Sequence, residues 1–369
     1  MSRFSAVLLT LLALYALMAP SAYSQTRWYD PAESGMTVIQ GQAFKGQERE
    51  SCYDRLPERV SEVVRDHVWN LSKENAGESI VFSTDSRSIE VRYTVAGGFE
   101  MPHMPATGVS GVDLYTEDRD GNEVWLAGRY AFRDTVTFRY RPVEVLNGNP
   151  DGMQKYTLFL PLYNVVTWME IGVDESSEFI FHPATEEKTI VAYGTSIAQG
   201  ACASRPGMAW SNILQRMLGR EVVNLGFSGN AYLENEMIDL LAEIDAEVYL
   251  LDAMPNVCTL EPEQIRDTVV NAVRRLRGRK PDVPIVLVDH IGFPHYKANP
   301  EVRKRHTDVL MMQKLAYRQL KKEGLKKIYY LSYEELAMPQ DGTVEGVHAS
   351  DYGMMAYALA YKKKLKRVL

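Results

Sequence analysis

Cysteine is scarce in this chain: Cys52, Cys202 and Cys258 are the only three in 369 residues. So small and odd a number excludes a disulfide scaffold and leaves at least one thiol unpaired. A chain this long can bury a sufficient core without such staples. Metal-ligand spacing is missing too. The 7 histidines include no His-x-x-x-His and the cysteines no Cys-x-x-Cys, so no metal is expected. Positive charge is in deficit, with 41 Lys and Arg against 48 Asp and Glu and a net charge of −7. That balance argues against a nucleic-acid partner. Internal repeats and low-complexity linkers are absent, and beyond the first residues no apolar run could span a membrane.

What is present begins with a leader. Arg3, the apolar run Ala6 to Met18 and the small-x-small triplet Ala22-Tyr23-Ser24 read as a secretory signal peptide over residues 1–24, cut before Gln25. The apolar run is short for a membrane span, so a secreted or periplasmic protein without stable membrane insertion is expected. The remaining length suits two domains, 25–183 and 184–369.

The two halves differ in pattern. Residues 79–83, 88–95, 112–115, 123–127, 136–140, 156–160 and 167–171 are short β-rich runs, many alternating apolar and polar, separated by turn signals. They predict an antiparallel β-sandwich or jelly roll. The acidic 117–123 segment lacks calcium-ligand spacing and reads as a hairpin turn around Asp120-Gly121. Residues 57–71 read as one helix or as irregular structure. From 184 the pattern turns to strands at 189–193, 221–225, 247–252, 284–289 and 327–331. Helices are expected near 208–218, 234–244, 261–278, 300–323 and 350–366. This alternation predicts an α/β domain with a five-stranded parallel, doubly wound, flavodoxin-like sheet in 2-1-3-4-5 order.

Chemistry-bearing residues cluster just beyond the strand ends, where such sheets place their ligands. Gly194-Thr195-Ser196 follows the first strand and Phe227-Ser228-Gly229-Asn230 the second. Met254-Pro255-Asn256 follows the third, and Glu345-Gly346-Val347-His348 the fifth. A serine, a histidine and a carboxylate in reach of one another would suit acyl transfer. Ser196 as a mere helix cap is the alternative.

These four blocks resemble, in order, those of the SGNH or GDSL-type hydrolase superfamily, and Gly111-Val112-Asp113-Leu114-Tyr115 resembles the Gly-x-Asp-Leu-Tyr signature of an N-terminal domain in its bacterial two-domain members. The resemblance implies a catalytic set of Ser196, His348 and Glu345, where Glu replaces the usual Asp. It implies an oxyanion hole from the N–H groups of Ser196 and Gly229 and the amide of Asn256, and no cofactor. It implies a short-chain acyl, foremost acetyl, esterase acting on an acylated small molecule or polysaccharide. A lipid acylhydrolase or thioesterase, and a non-catalytic glycan-binding protein on a hydrolase fold, are the alternatives. Arg205, His290 and His103, the last in the proline-framed loop 101–105, are candidates for substrate contact, against structural roles. Cys202 and Cys258 are read as buried thiols rather than a disulfide. The oligomeric state is left open.

Overall fold

The computed structural model describes residues 25–141 and 143–369. The expected signal peptide lies outside the described residues. The parallel sheet is built from β1 (Thr189–Gly194), β2 (Val222–Gly226), β3 (Ala246–Asp252), β4 (Ile285–Val288) and β5 (Ile328–Leu331). Its order is β2-β1-β3-β4-β5, all parallel. The chief helices are α1 (Ser196–Gln199), α2 (Trp210–Leu218), α3 (Asn235–Leu241), α4 (Pro262–Arg279), α5 (Pro300–Lys322) and α6 (Asp351–Leu365). Alternation along each strand divides the sheet between two cores. Val191, Tyr193, Val223 and Leu225 face α3, α4 and α5. Ile190, Ala192, Val248 and Leu250 face α2 and α6, where Trp210 stacks on Tyr361 at 4.3 Å.

Residues before 184 form two antiparallel sheets closed over a third core. One sheet runs Thr26–Tyr29, Val166–Asp174, Ile89–Val95, Val136–Tyr140 and Arg129–Ala131 in spatial order; the other runs Phe179–Phe181, Ser79–Thr84, Gln154–Phe159, Asp113–Glu117 and Glu123–Leu126, with Ile39–Gln40 beside Ser79–Thr84. All seven strand-like runs in this half are strands. Thr26–Tyr29, Ile39–Gln40, Arg129–Ala131 and Phe179–Phe181 were not expected, because two to four residues carry no alternation signal. At the 117–123 turn the Asp118 carboxylate accepts the N–H groups of Asp120 and Asn122, leaving a hairpin closed on itself. The 57–71 stretch is not one helix. It holds a 3₁₀ turn at Glu58–Val60 and a helix at Asp66–Leu71, broken where Arg65 is extended and reaches across to Asn230 and Glu234.

The two halves share their cores. Phe44, Leu56, Val60 and Val68 pack on the α3–α5 side of the parallel sheet, and Leu162 and Tyr163 on the α2–α6 side. Arg55 seals the junction. Its fully buried guanidinium donates to the carbonyls of Leu71, Glu74, Asn224 and Gly226 and lies 5.1 Å from the Phe227 ring centroid. The signature aspartate and tyrosine serve the same junction. Asp113 accepts from Arg205, Gly207 and Trp125, and the Tyr115 hydroxyl accepts from Arg205. Among the described residues no helix is long and apolar enough to cross a membrane.

Candidate active site

The turn out of β1 leaves no room for error. A Cβ on Gly194 would lie 2.7 Å from the Ala198 Cβ and 2.8 Å from the Asp252 carbonyl oxygen. A Cβ on Gly226 would lie 2.2 Å from the Gln199 backbone nitrogen. Asn224 fastens the turn, donating to Ala198 O at 2.7 Å and accepting Gly226 N–H at 2.9 Å. The helix cap is Thr195, whose hydroxyl accepts Ile197 N–H at 3.3 Å. Ser196 is therefore not the cap. It is the first helical residue, 8% exposed, and its hydroxyl is free for other work.

That hydroxyl lies 2.8 Å from His348 Nε2. His348 Nδ1 lies 2.6 Å from Glu345 Oε1, which also accepts the His348 backbone N–H at 3.1 Å. Only two residues separate the pair. Gly346, at φ +92°, supplies the backbone turn that folds Glu345 onto the ring, a conformation other residues resist. Val344 N–H to His348 O, 2.8 Å, closes the loop. The structure thus brings Ser196, His348 and Glu345 into one hydrogen-bonded chain. A hydroxyl, an imidazole and a carboxylate so linked can move a proton off the hydroxyl.

The positions expected to hold an oxyanion follow β1 and the two strands that flank it, β2 and β3. Its N–H opens a helix, where backbone donors are unspent. Gly229 adopts φ +68° in a turn closed by Asn230 N–H to Phe227 O at 2.9 Å. The Asn256 amide oxygen accepts Ala231 N–H at 3.0 Å, which turns its NH₂ end the other way.

Beside His348 opens a cavity of about 390 Å³. Its walls include Ser228 and Asn230, flanking Gly229, and Met101, His103 and Tyr163 from the preceding domain. His67, Asn70, Leu71, Glu74 and Ala201 complete it; sequence reasoning missed His67, Asn70 and Glu74, since their segment carries no motif. Glu74 is held by Gln199, whose other amide atom accepts Ser228 N–H at 2.9 Å. Burial raises the Glu74 pKa, opposed by Arg55. A larger cavity, about 660 Å³, opens elsewhere, walled by Glu117, Lys155, Arg220 and Glu221 and by none of the Ser196–His348–Glu345 chain.

Of the three candidates for substrate contact, His103 lines the cavity and stacks on His348 with ring centroids 5.7 Å apart. Arg205 does not. Its guanidinium is spent on Asp113 at 2.7 Å and Tyr115 at 2.6 Å, and lies over the Trp125 ring. His290 does not either. It is 2% exposed, accepts Gly292 N–H, and burial drives its pKa down to about 3. Asp252 is buried under the hydroxyls of Tyr357 and Tyr361. Cys202 and Cys258 are buried free thiols and Cys52 is an exposed one. Burial pushes the Cys202 thiol up to about 12, so it is no rival nucleophile at neutral pH.

Comparison with known proteins agrees with this architecture. Residues 187–366 match the GDSL-like lipase/acylhydrolase family. Residues 26–179 match the N-terminal domain of SGNH-hydrolase-type esterases. A GDSL-like lipase structure from Bacteroides ovatus is 28% identical, with a TM-score of 0.83 over 93% of this chain and 98% of that one. The salicylyl-acyltransferase SsfX3 of a tetracycline biosynthetic pathway is 18% identical, TM-score 0.70, over 93% and 97%. A family two carbohydrate esterase from Cellvibrio japonicus is 12% identical, TM-score 0.56, over 93% and 98%. No curated protein matches. The chain belongs to the SGNH/GDSL hydrolases, in the form that carries a Gly-x-Asp-Leu-Tyr domain ahead of the hydrolase fold.

Proposed function

We propose that this protein is a secreted or periplasmic serine esterase that removes short acyl groups, acetyl foremost, from carbohydrate. The observation that carries the reading is the hydrogen-bonded chain Ser196–His348–Glu345 beside a small cavity. Ser196 Oγ attacks the ester carbonyl as His348 Nε2 takes its proton. The oxygen's new negative charge falls to the N–H groups of Ser196 and Gly229 and the Asn256 amide, each such donor worth about 3 kcal/mol of barrier. His348 returns the proton to the departing alcohol, and water then releases the acyl group by the same steps reversed. Glu345 holds the imidazole and offsets its charge. No step calls on a cofactor.

The substrate assignment draws on the cavity lining. His67, Asn70, Glu74, His103, Ser228 and Asn230 offer hydrogen bonds suited to sugar hydroxyls. Leu71, Met101 and Ala201 supply apolar wall for the acyl group, whose burial gains about 0.8 kcal/mol per CH₂. The carbohydrate-esterase likeness supports the choice at the level of fold. Hydrolysis of p-nitrophenyl acetate, butyrate and decanoate, and acetate release from acetylated xylan and other acetylated polysaccharides, test it. Rates should fall with acyl length and acetate should appear from polysaccharide. Rates rising toward decanoate would overturn the carbohydrate reading in favour of a lipid acylhydrolase.

A further inference from the structure

Three side chains with soft-metal chemistry meet beside the cavity: His103 and His348 line it, and Cys202 is buried next to its wall residue Ala201. One ligand atom from each of His103, Cys202 and His348 lies within 4.8 Å of the other two. They come from three segments: the 101–105 loop of the first domain, the turn after α1, and the loop before α6. No spacing rule along the chain could have joined them. Cys202 sits at φ +68°, a left-handed backbone that costs a non-glycine residue about 1–2 kcal/mol, so the surrounding fold imposes its position. Among the described residues its thiol makes one long contact, 3.5 Å, to the His103 carbonyl oxygen. The exposed His103 ring is stacked on His348 and can turn at little cost.

We propose that His103, Cys202 and His348 form an inhibitory site for a thiophilic divalent cation such as zinc. Zinc takes imidazole nitrogen at about 2.0–2.1 Å and sulfur at about 2.3 Å, tetrahedrally, so its donors stand about 3.3–3.7 Å apart. Rotation of the exposed His103 and of the Cys202 side chain closes the difference, and water fills the fourth position. The Cys202 thiol loses its proton to buffer and its sulfur donates an electron pair to the metal; nothing is oxidised. The set lacks carboxylates, which disfavours magnesium and calcium.

Occupancy must disable the relay. His348 has two ring nitrogens and both are in use, Nε2 with Ser196 and Nδ1 with Glu345. A metal on the first removes the base; on the second it strips the base of its carboxylate. The inhibition, though not the binding, rests on His348 acting as the base.

The experiment therefore separates the two. Calorimetric titration of chelator-stripped Ser196→Ala protein with zinc chloride reads binding alone. Titration of p-nitrophenyl acetate hydrolysis by the stripped wild type reads inhibition. The expected result is one zinc per chain, and inhibition of roughly tenfold or more that EDTA reverses and magnesium does not reproduce. Cys202→Ser and His103→Gln should each weaken zinc by roughly 10- to 100-fold or more, measured against each variant's own metal-free rate. Cobalt(II) should show a thiolate charge-transfer band that Cys202→Ser loses. Absence of binding would overturn the proposal, as would zinc potency equal in wild type and both variants. His103→Gln, on an exposed loop, keeps the test open should Cys202→Ser fold poorly. A wild type inactive without metal, yet binding zinc through Cys202, would fault the esterase reading and uphold the site.

Discussion

Ser196 and His348 meet at 2.8 Å, but the two sides of that contact are built differently. The serine side is interior. Gly194, Gly226, Asn224 and Arg55 lock its turn, with almost nothing exposed and the close approaches at Gly226 set by backbone atoms. The histidine side is a surface loop. Glu345 has 37% of its side chain exposed, Val344 and Val347 face solvent, and the loop is closed by a few backbone bonds. The nucleophile is placed by the fold itself, the base by a local device. Damage to the residues that lock the serine turn should cost stability and activity together; damage to the histidine loop should cost activity alone.

The largest effect tests that division at the contact. Ser196→Ala and His348→Ala should each lower kcat on p-nitrophenyl acetate by roughly 10⁴-fold or more, with unfolding midpoints close to wild type. A large loss of stability in His348→Ala would break the contrast. Next comes Glu345→Gln, expected to lose roughly 10- to 10³-fold in kcat while urea unfolding shifts by less than about 0.5 kcal/mol, as at other surface positions. Unchanged kcat would reduce the set to a Ser–His dyad.

Arg55→Met probes the interior side. It leaves four carbonyls without their donor, at about 1–3 kcal/mol for each buried group left unpaired. A loss of about 3 kcal/mol or more in urea unfolding is expected, accompanied by a fall in kcat. A stable, fully active variant would show that the serine turn does not depend on the domain junction. The smallest effect at neutral pH comes from His290, which acts through acid sensitivity of the interior. Its pKa is depressed from 6.5 to about 3, so its contribution is complete above about 6.5 and is lost as pH falls toward 3, when the unfolded chain takes up a proton the folded one refuses. His290→Gln should flatten that part of the stability–pH curve. An unchanged slope between pH 7 and 4 would assign the sensitivity to other groups.

The same contrast explains what could be read in advance. The parallel sheet, its order and its helices were legible because apolar strands alternate with long amphipathic segments. Ser196 and His348 were legible because each lies in a short contiguous block. Glu345 was legible as a position, but its reach depends on Gly346 at positive φ, a backbone fact. Arg205 and His290 take the structural alternative for one reason: nearness in sequence to a site says nothing of which way a side chain turns. Arg205 turns to the Asp113 and Tyr115 of another domain, and His290 turns inward. His67, Asn70 and Glu74 were invisible, since only the packing of the first domain on the second brings them to the cavity.

The central claim is that Ser196 is the nucleophile and His348 its base. Intact-mass and peptide mass spectrometry after treatment with a fluorophosphonate tests it most directly. One adduct per wild-type chain, located on Ser196, greatly slowed in His348→Ala and absent from Ser196→Ala, is the predicted result. An adduct that persists in Ser196→Ala, or a wild type that hydrolyses acetate esters yet is never labelled, would contradict it.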